Sequence, residues 1–267
     1  MQMPKLGAGT FRLKEQQAED SVAMALELGY RHIDTAQIYR NEVDVGRAIA
    51  NSGLPRGELY VTTKIWTDQF AQGKLIPSLR ASLDKLGLEQ VNMTLIHWPL
   101  PQDEVPMAVY MEQLAEAKQL GLTREIGVSN FTIKHLEQAI AVVGADAIAT
   151  HQLEVHPYLQ NLKVRAFCRQ HGIALTGYMP LAYGRVIQDP VLQDIARKHG
   201  ATAAQVALAW QLQQDIAVIP SSTKRANLEA NLAALTLRLD DADMASIAKL
   251  EDGGRIADPD FAPAWDA

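Results

Sequence analysis

Between residues 15 and 28 the apolar positions Ala18, Val22, Ala25 and Leu26 recur three or four apart and Gly29 follows, a spacing that predicts an amphipathic helix closed by glycine. A β-rich run at 30–33 then delivers Asp34 into a turn. From Asn41 a second helix keeps Val45, Gly46 and Ile49 on one side until Gly53 and Pro55. The alternation continues to the end of the chain. An opening strand and turn at 6–10 (LGAGT) and short β-branched runs at 59–65, 91–96, 125–128, 148–153, 174–178 and 216–219 read as strands. Helical periods at 75–86, 109–120, 164–171, 190–199, 202–213 and 240–250 fall between or after them. Expected strand ends lie near Gly9, Asp34, Lys64, Ile96, Val128, Leu153, Tyr178 and Ile219, at spacings of about 25 to 40 residues that each enclose helical pattern. Repeated βα units of this kind predict an α/β fold, a single (β/α)8 TIM barrel over 1–267, with chemistry at the face where the strands end. Residues 251–267 read as a loop-rich tail containing Phe261, Pro263 and Trp265.

Composition adds bounds. A chain of 267 residues, 48% apolar and 6% aromatic, suits one large helix-rich barrel core. A net charge of −6 argues against a nucleic-acid partner, which needs a basic face. The N-terminal MQMPKLGAGTF lacks the charged-then-apolar pattern of a secretory leader, and no apolar run approaches the roughly 20 residues of a membrane span. A cytoplasmic monomer without membrane partners is expected. Cys168 is the one cysteine, and its helical context VRAFCRQHG predicts a core thiol.

Two motifs are decoys. Gly7 and Gly9 start a dinucleotide-type glycine pattern, but Arg12 stands where the third glycine would fall. Tyr60 and Lys64 have a Tyr-x-x-x-Lys spacing, yet that pairing needs adjacent turns of a helix. In the β-branched YVTTKI the two lie roughly 13 Å apart. Lys64 must therefore find its tyrosine elsewhere. Asp34, Tyr39, Lys64 and His97 each follow a β-rich run, which gathers them at successive strand ends.

The stretch GYRHIDTAQIYRNEVDVG, residues 29–46, resembles the aldo-keto reductase signature, and the motif order along almost the whole chain is similar to the bacterial diketogluconate reductase group of that family. The resemblance implies reduction of aldehydes and ketones, small dicarbonyls such as methylglyoxal or keto-sugar acids. Tyr39 would be the general acid, Lys64 and Asp34 its support, and His97 the residue that orients the carbonyl. It implies that Gly9 and Thr10 approach the cofactor and that Ser129, Asn130 and Gln152 hydrogen-bond a nicotinamide carboxamide. Tyr178 would stack under the ring. Met179 and Leu181 stand in the family's Tyr-Ser-Pro-Leu-Gly segment, so only backbone can replace the serine's bond there. Ile219, Pro220, Ser221, Ser222, Thr223, Lys224, Asn227 and Asn231 would surround the phosphate end, at a helix start suited to anions. Ser221 and Asn227 replace the family's usual Lys and Arg, so NADPH is expected with NADH left open. Phe11, Trp66 and Trp98, with His97, would wall the substrate mouth, and the tail would fold across it. His151 replaces the family's Asn beside Gln152 and is expected to face the other side of its strand.

The chemistry is self-consistent. A carbonyl reductase must add a proton at oxygen, and free tyrosine with a pKa of about 10 calls for a nearby cation. One ammonium at about 4 Å supplies about 4 kcal/mol, and a carboxylate keeps that buried ammonium charged, so the phenol is expected to be drawn toward pH 7. Two rivals remain open. A metal-dependent barrel hydrolase would use His97, His151, Glu154 and His156, although His151 points away from the other two on its strand and no His-x-His ends the first strand. The other is a non-catalytic nicotinamide-binding regulatory barrel.

Overall fold

Eight parallel strands hydrogen-bond to one another in chain order: β1 (Ala8–Gly9), β2 (His32–Asp34), β3 (Tyr60–Ile65), β4 (Val91–Ile96), β5 (Thr123–Ser129), β6 (Ile148–Glu154), β7 (Ala174–Tyr178) and β8 (Ile216–Val218). A parallel bridge between Leu6 and Val218 joins the two ends, with the Gly7 amide donating to the Val218 carbonyl at 2.8 Å. The sheet thus curls into a (β/α)8 barrel. Closure leaves no exposed sheet edge among the described residues. The computed structural model describes residues 2–100 and 104–266; Met1 and Ala267, which bound the expected 1–267 unit, lie outside the described residues. Each strand ends within one residue of its expected position.

Helices α1 (Glu15–Glu27), α2 (Glu42–Asn51), α3 (Leu75–Leu86), α4 (Met107–Gln119), α5 (Ile133–Val143) and α6 (Leu162–Gln170) pack outside the strands. After β7 come α7 (Arg185–Gln188), α8 (Pro190–His199) and α9 (Ala203–Leu212), and after β8 α10 (Arg225–Leu232) and α11 (Asp241–Ala248). The main core lies between helices and sheet, built from residues such as Val22, Val45, Leu79, Leu114, Val206 and Trp210. Gly46 lets α2 approach α3, since a Cβ there would meet the Leu86 carbonyl oxygen at 2.6 Å. Helix α5 is capped by Thr132, whose hydroxyl accepts the His135 amide, so Ser129 and Asn130 do not cap it.

Inside the barrel Tyr60, Met93 and Leu95 form a smaller cluster closed by Met3 and Ala149. Alternation along β3 places Tyr60, Thr62 and Lys64 on this inner face. The Tyr60 hydroxyl donates to Glu125, whereas Lys64 bonds to Asp34, so the two decoy residues serve separate partners. His151 faces outward: Nε2 accepts the Phe131 amide at 3.1 Å and Nδ1 lies 3.6 Å from the buried Cys168 Sγ. Burial pushes that thiol up to about 12, as befits a core residue.

Candidate active site

Where β2, β3 and β4 end, four side chains converge. β2 delivers Asp34, and the 3₁₀ turn Gln37–Tyr39 brings Tyr39 back over it. Asn41 laces this corner together: its Nδ2 donates to the carbonyls of Thr10 and Leu13, both at 2.9 Å, and its Oδ1 accepts the Thr35 hydroxyl at 2.7 Å. The side chain therefore joins the loops after β1 and β2 and makes no cap bond to α2.

Lys64 is fully buried, and its Nζ donates to Oδ1 of Asp34, to the Thr35 carbonyl at 2.9 Å and to the Tyr39 hydroxyl at 3.4 Å. The other Asp34 oxygen accepts the Gln152 amide at 2.8 Å. Burial lowers the Lys64 ammonium below its ordinary pKa, while the charge and hydrogen bond of Asp34, and more remotely Glu42, oppose the fall. The expected drift of the phenol toward neutrality is corrected here. Tyr39 is raised well above its ordinary value, first by burial and then by the Asp34 charge. Asp34 touches the ammonium, so the phenol meets a nearly neutral ion pair and not a bare cation.

His97 follows β4. Its ring stands edge-on to Tyr39 at 5.6 Å and to Trp66 at 5.2 Å between centroids. Burial, reinforced by the Lys64 charge, holds the imidazole well below its usual pKa and hence neutral at pH 7. Its Nδ1 is buried without a partner among the described residues.

Ser129, Asn130, Gln152 and Tyr178 stand on neighbouring strand ends. Asn130 has a left-handed backbone, φ 61°, and donates to the His97 carbonyl at 2.9 Å and to Ser129 Oγ at 3.1 Å. Its Oδ1 accepts the Tyr178 hydroxyl at 2.6 Å. Asn130 is thus engaged within the protein, and Gln152 has its NH2 on Asp34.

These groups line a cleft of about 700 Å³. Gly9, Thr10 and Phe11 border it on the β1 side, where Phe11 tilts against Tyr39 at 5.2 Å. Trp66 and Trp98 border the mouth, and Met179 and Leu181 the loop after β7. Ile219, Pro220, Ser221, Ser222, Thr223, Lys224 and Asn227 continue the wall to the start of α10. Asn231 is the exception: it does not line the cleft and is buried beside the Tyr30 hydroxyl. Arg225 is tied to Glu27 at 2.6 Å.

Some lining residues lack any sequence signal. Arg12, at φ 67°, lays its guanidinium 4.6 Å from the Tyr183 ring, joining the loops after β1 and β7 across the cleft. Met179, Ala182 and Tyr183 are also left-handed without being glycine, a conformation their residue types do not announce. Ala257, Pro259 and Phe261 bring the tail over the mouth. The set considered for a metal is dispersed: His151 serves the Phe131 amide, while Glu154 holds His156 at 2.8 Å and two tail amides.

A model of the aldo/keto reductase family matches residues 5–252. Methylglyoxal reductase DkgB of Escherichia coli O157:H7 is 58% identical over 267 residues, all of both chains, and its counterpart of the same name in Yersinia pestis is 57% identical over the same span. A solved protein provisionally described as a 2,5-diketo-D-gluconic acid reductase B superposes with a TM-score of 0.94 at 43% identity, covering 99% of this chain and 94% of that one.

Proposed function

The chain belongs to the aldo/keto reductase family and is an oxidoreductase that reduces carbonyl groups, and we propose that it does so with NADPH on small aldehydes and ketones, using Tyr39 as proton donor. Methylglyoxal-like dicarbonyls and keto-sugar acids are the proposed substrates, following the names of its relatives. The observation that carries this reading is the Tyr39 hydroxyl in the cleft, 3.4 Å from a Lys64 ammonium that Asp34 pins from behind.

The cleft's charges suit an anionic cofactor. Asp34 is neutralised by Lys64, so Arg12 and Lys224 leave the lining with excess positive charge. Amides at the start of α10 and the hydroxyls of Ser221, Ser222 and Thr223 add donors for phosphate. Lys224 is the proposed 2′-phosphate contact, because Arg225 is occupied by Glu27. Gln152, Ser129 and Tyr178 would hold the nicotinamide end, and Asn130 would position them through its bonds to Ser129 and Tyr178.

When bound, the nicotinamide supplies a hydride to the carbonyl carbon. Tyr39 then passes its proton from Oη to the carbonyl oxygen as negative charge grows there. A phenol raised above its ordinary pKa stays protonated at pH 7, which a donor requires. An alkoxide's conjugate acid is about as weak as water, so proton transfer to the developing alkoxide does not require a phenol near pH 7. Lys64 stabilises the phenolate left behind. His97, neutral, donates one N–H to the same oxygen; its enclosed Nδ1 favours the proton on Nε2.

The chain is proposed to act as one barrel unit, a cytoplasmic monomer acting on small molecules. Parallel oxidation assays of NADPH and NADH with methylglyoxal, 2,5-diketo-D-gluconate and simple aldehydes test this. NADPH-linked reduction is expected, and failure to oxidise either cofactor with any carbonyl would overturn it.

A further inference from the structure

The tail forms one wall of the cleft and is held by a side chain that the chemistry does not use. Glu154, the last residue of β6, is fully buried. Its Oε1 accepts the Ile256 amide at 2.8 Å and its Oε2 the Ala257 amide at 2.7 Å. His156 Nε2 bonds to the same Oε1 at 2.8 Å. Asn161 fastens the neighbouring position, donating to the Glu154 carbonyl at 2.7 Å and accepting Arg255 Nη2 at 3.1 Å. A few residues on, Phe261 stands edge-on to Trp66 at 5.9 Å and to Trp98 at 5.4 Å.

Resting on the carbonyl-reductase reading, we propose that Glu154 is a positioning residue for substrate selection: it clamps residues 256–257 so that Phe261 stays against Trp66 and Trp98 as the outer wall of the substrate pocket. Two successive amides converge on one carboxylate, and each takes a different oxygen. A carboxylate offers acceptors on both sides, whereas glutamine would turn an NH2 toward one of the amides. Between Leu250 and Asp266 the described tail has neither helix nor strand; the Tyr158 carbonyl accepts the Asp252 and Gly254 amides, and Glu154 takes those of Ile256 and Ala257 further along. Phe261 is 37% exposed and rests on its ring contacts, with Glu154 fixing the segment before it and Trp265 against Trp98 and Asp266 on the Ile133 amide fixing the segment after it. Trp66 packs on His97 and on Phe261, so a substrate bearing a ring is expected to reach that wall and one bearing a methyl group to stop short of it.

The test measures kcat and KM for phenylglyoxal and methylglyoxal with Glu154→Gln, Phe261→Ala and the double variant. Each single variant is expected to lower the phenylglyoxal-to-methylglyoxal ratio of kcat/KM about tenfold, through KM for phenylglyoxal, and the double variant to fall no further. Additive losses in the double variant, or an equal loss for both substrates with Glu154→Gln, would overturn the proposal. Hydrogen exchange of the wild-type chain decides it independently of activity and of how well any variant folds. The Ile256 and Ala257 amides should exchange at least about tenfold more slowly than those of Asp260 and Phe261, and equal rates would refute the clamp. If the wild-type chain turned over neither dicarbonyl, the activity reading would fall while the exchange result still decided the anchor.

Discussion

The three protons of the Lys64 ammonium go to Asp34, to the Thr35 carbonyl and to the Tyr39 hydroxyl, so a buried cation has a full set of acceptors. Asp34→Asn removes the only charge in contact with it among the described residues. An unpaired buried charge costs about 3–5 kcal/mol, and urea unfolding should show a loss of that order. The sign for activity follows from the same pair: burial already lowers the Lys64 pKa and Asp34 raises it, so the variant's ammonium deprotonates at lower pH. The alkaline limb of its kcat profile should therefore move down; an unmoved limb would mean that Asp34 does not support Lys64. At this scale Asp34, Tyr39, Lys64 and His97 were legible because each follows a β-rich run. The direction of the Tyr39 pKa was not, since it depends on burial and on contact between Asp34 and Lys64, neither of which a linear pattern carries. Arg12 and Tyr183 were illegible for a similar reason, their conformations being left-handed without glycine.

Among the elements, strands and long helices were readable from periodicity, and the misses have local causes. Helix α5 begins with a capping box whose third residue is His135, where Glu or Gln would have given the signal. Helix α7 is four residues long and follows three left-handed positions, too short for any period to show. Gly46, by contrast, has a clear element-level role. Gly46→Ala would drive a Cβ into the Leu86 carbonyl, separating α2 from α3, and should cost about 1–3 kcal/mol in thermal or urea unfolding. An unchanged midpoint would show that the two helices have slack. At the start of α10, Lys224→Met should raise KM for NADPH about tenfold, the equivalent of one charge-assisted contact, with KM for NADH nearly unmoved. Arg225→Met should do less, because Arg225 already pairs with Glu27. The reverse order in steady-state kinetics would place the 2′-phosphate elsewhere.

For the whole molecule, the barrel was legible because one unit of strand and helix recurs along the chain, while its closure rests on Leu6 and Val218, residues too few to signal it alone. The packed fold also buries histidines that remain neutral. Burial lowers His32 to about 4 and His151 to about 3, below the ordinary 6.5. The unfolded chain therefore binds these protons first as pH falls. Their stabilising contribution is full above about 6.5 and is lost between there and about 3, with a slope of about 1.4 kcal/mol per pH unit for each histidine. His151→Gln should flatten the stability curve between pH 6 and 4 by about one such slope. An unchanged slope would show that His151 is already charged in the fold. The account as a whole turns on the phenol that meets the carbonyl oxygen. The most direct measurement is turnover of methylglyoxal with NADPH by Tyr39→Phe, beside the Kd of the same variant for NADPH. Loss of about 10²–10⁴-fold in kcat with Kd nearly intact is predicted; wild-type kcat, or cofactor affinity falling in step with turnover, would contradict it.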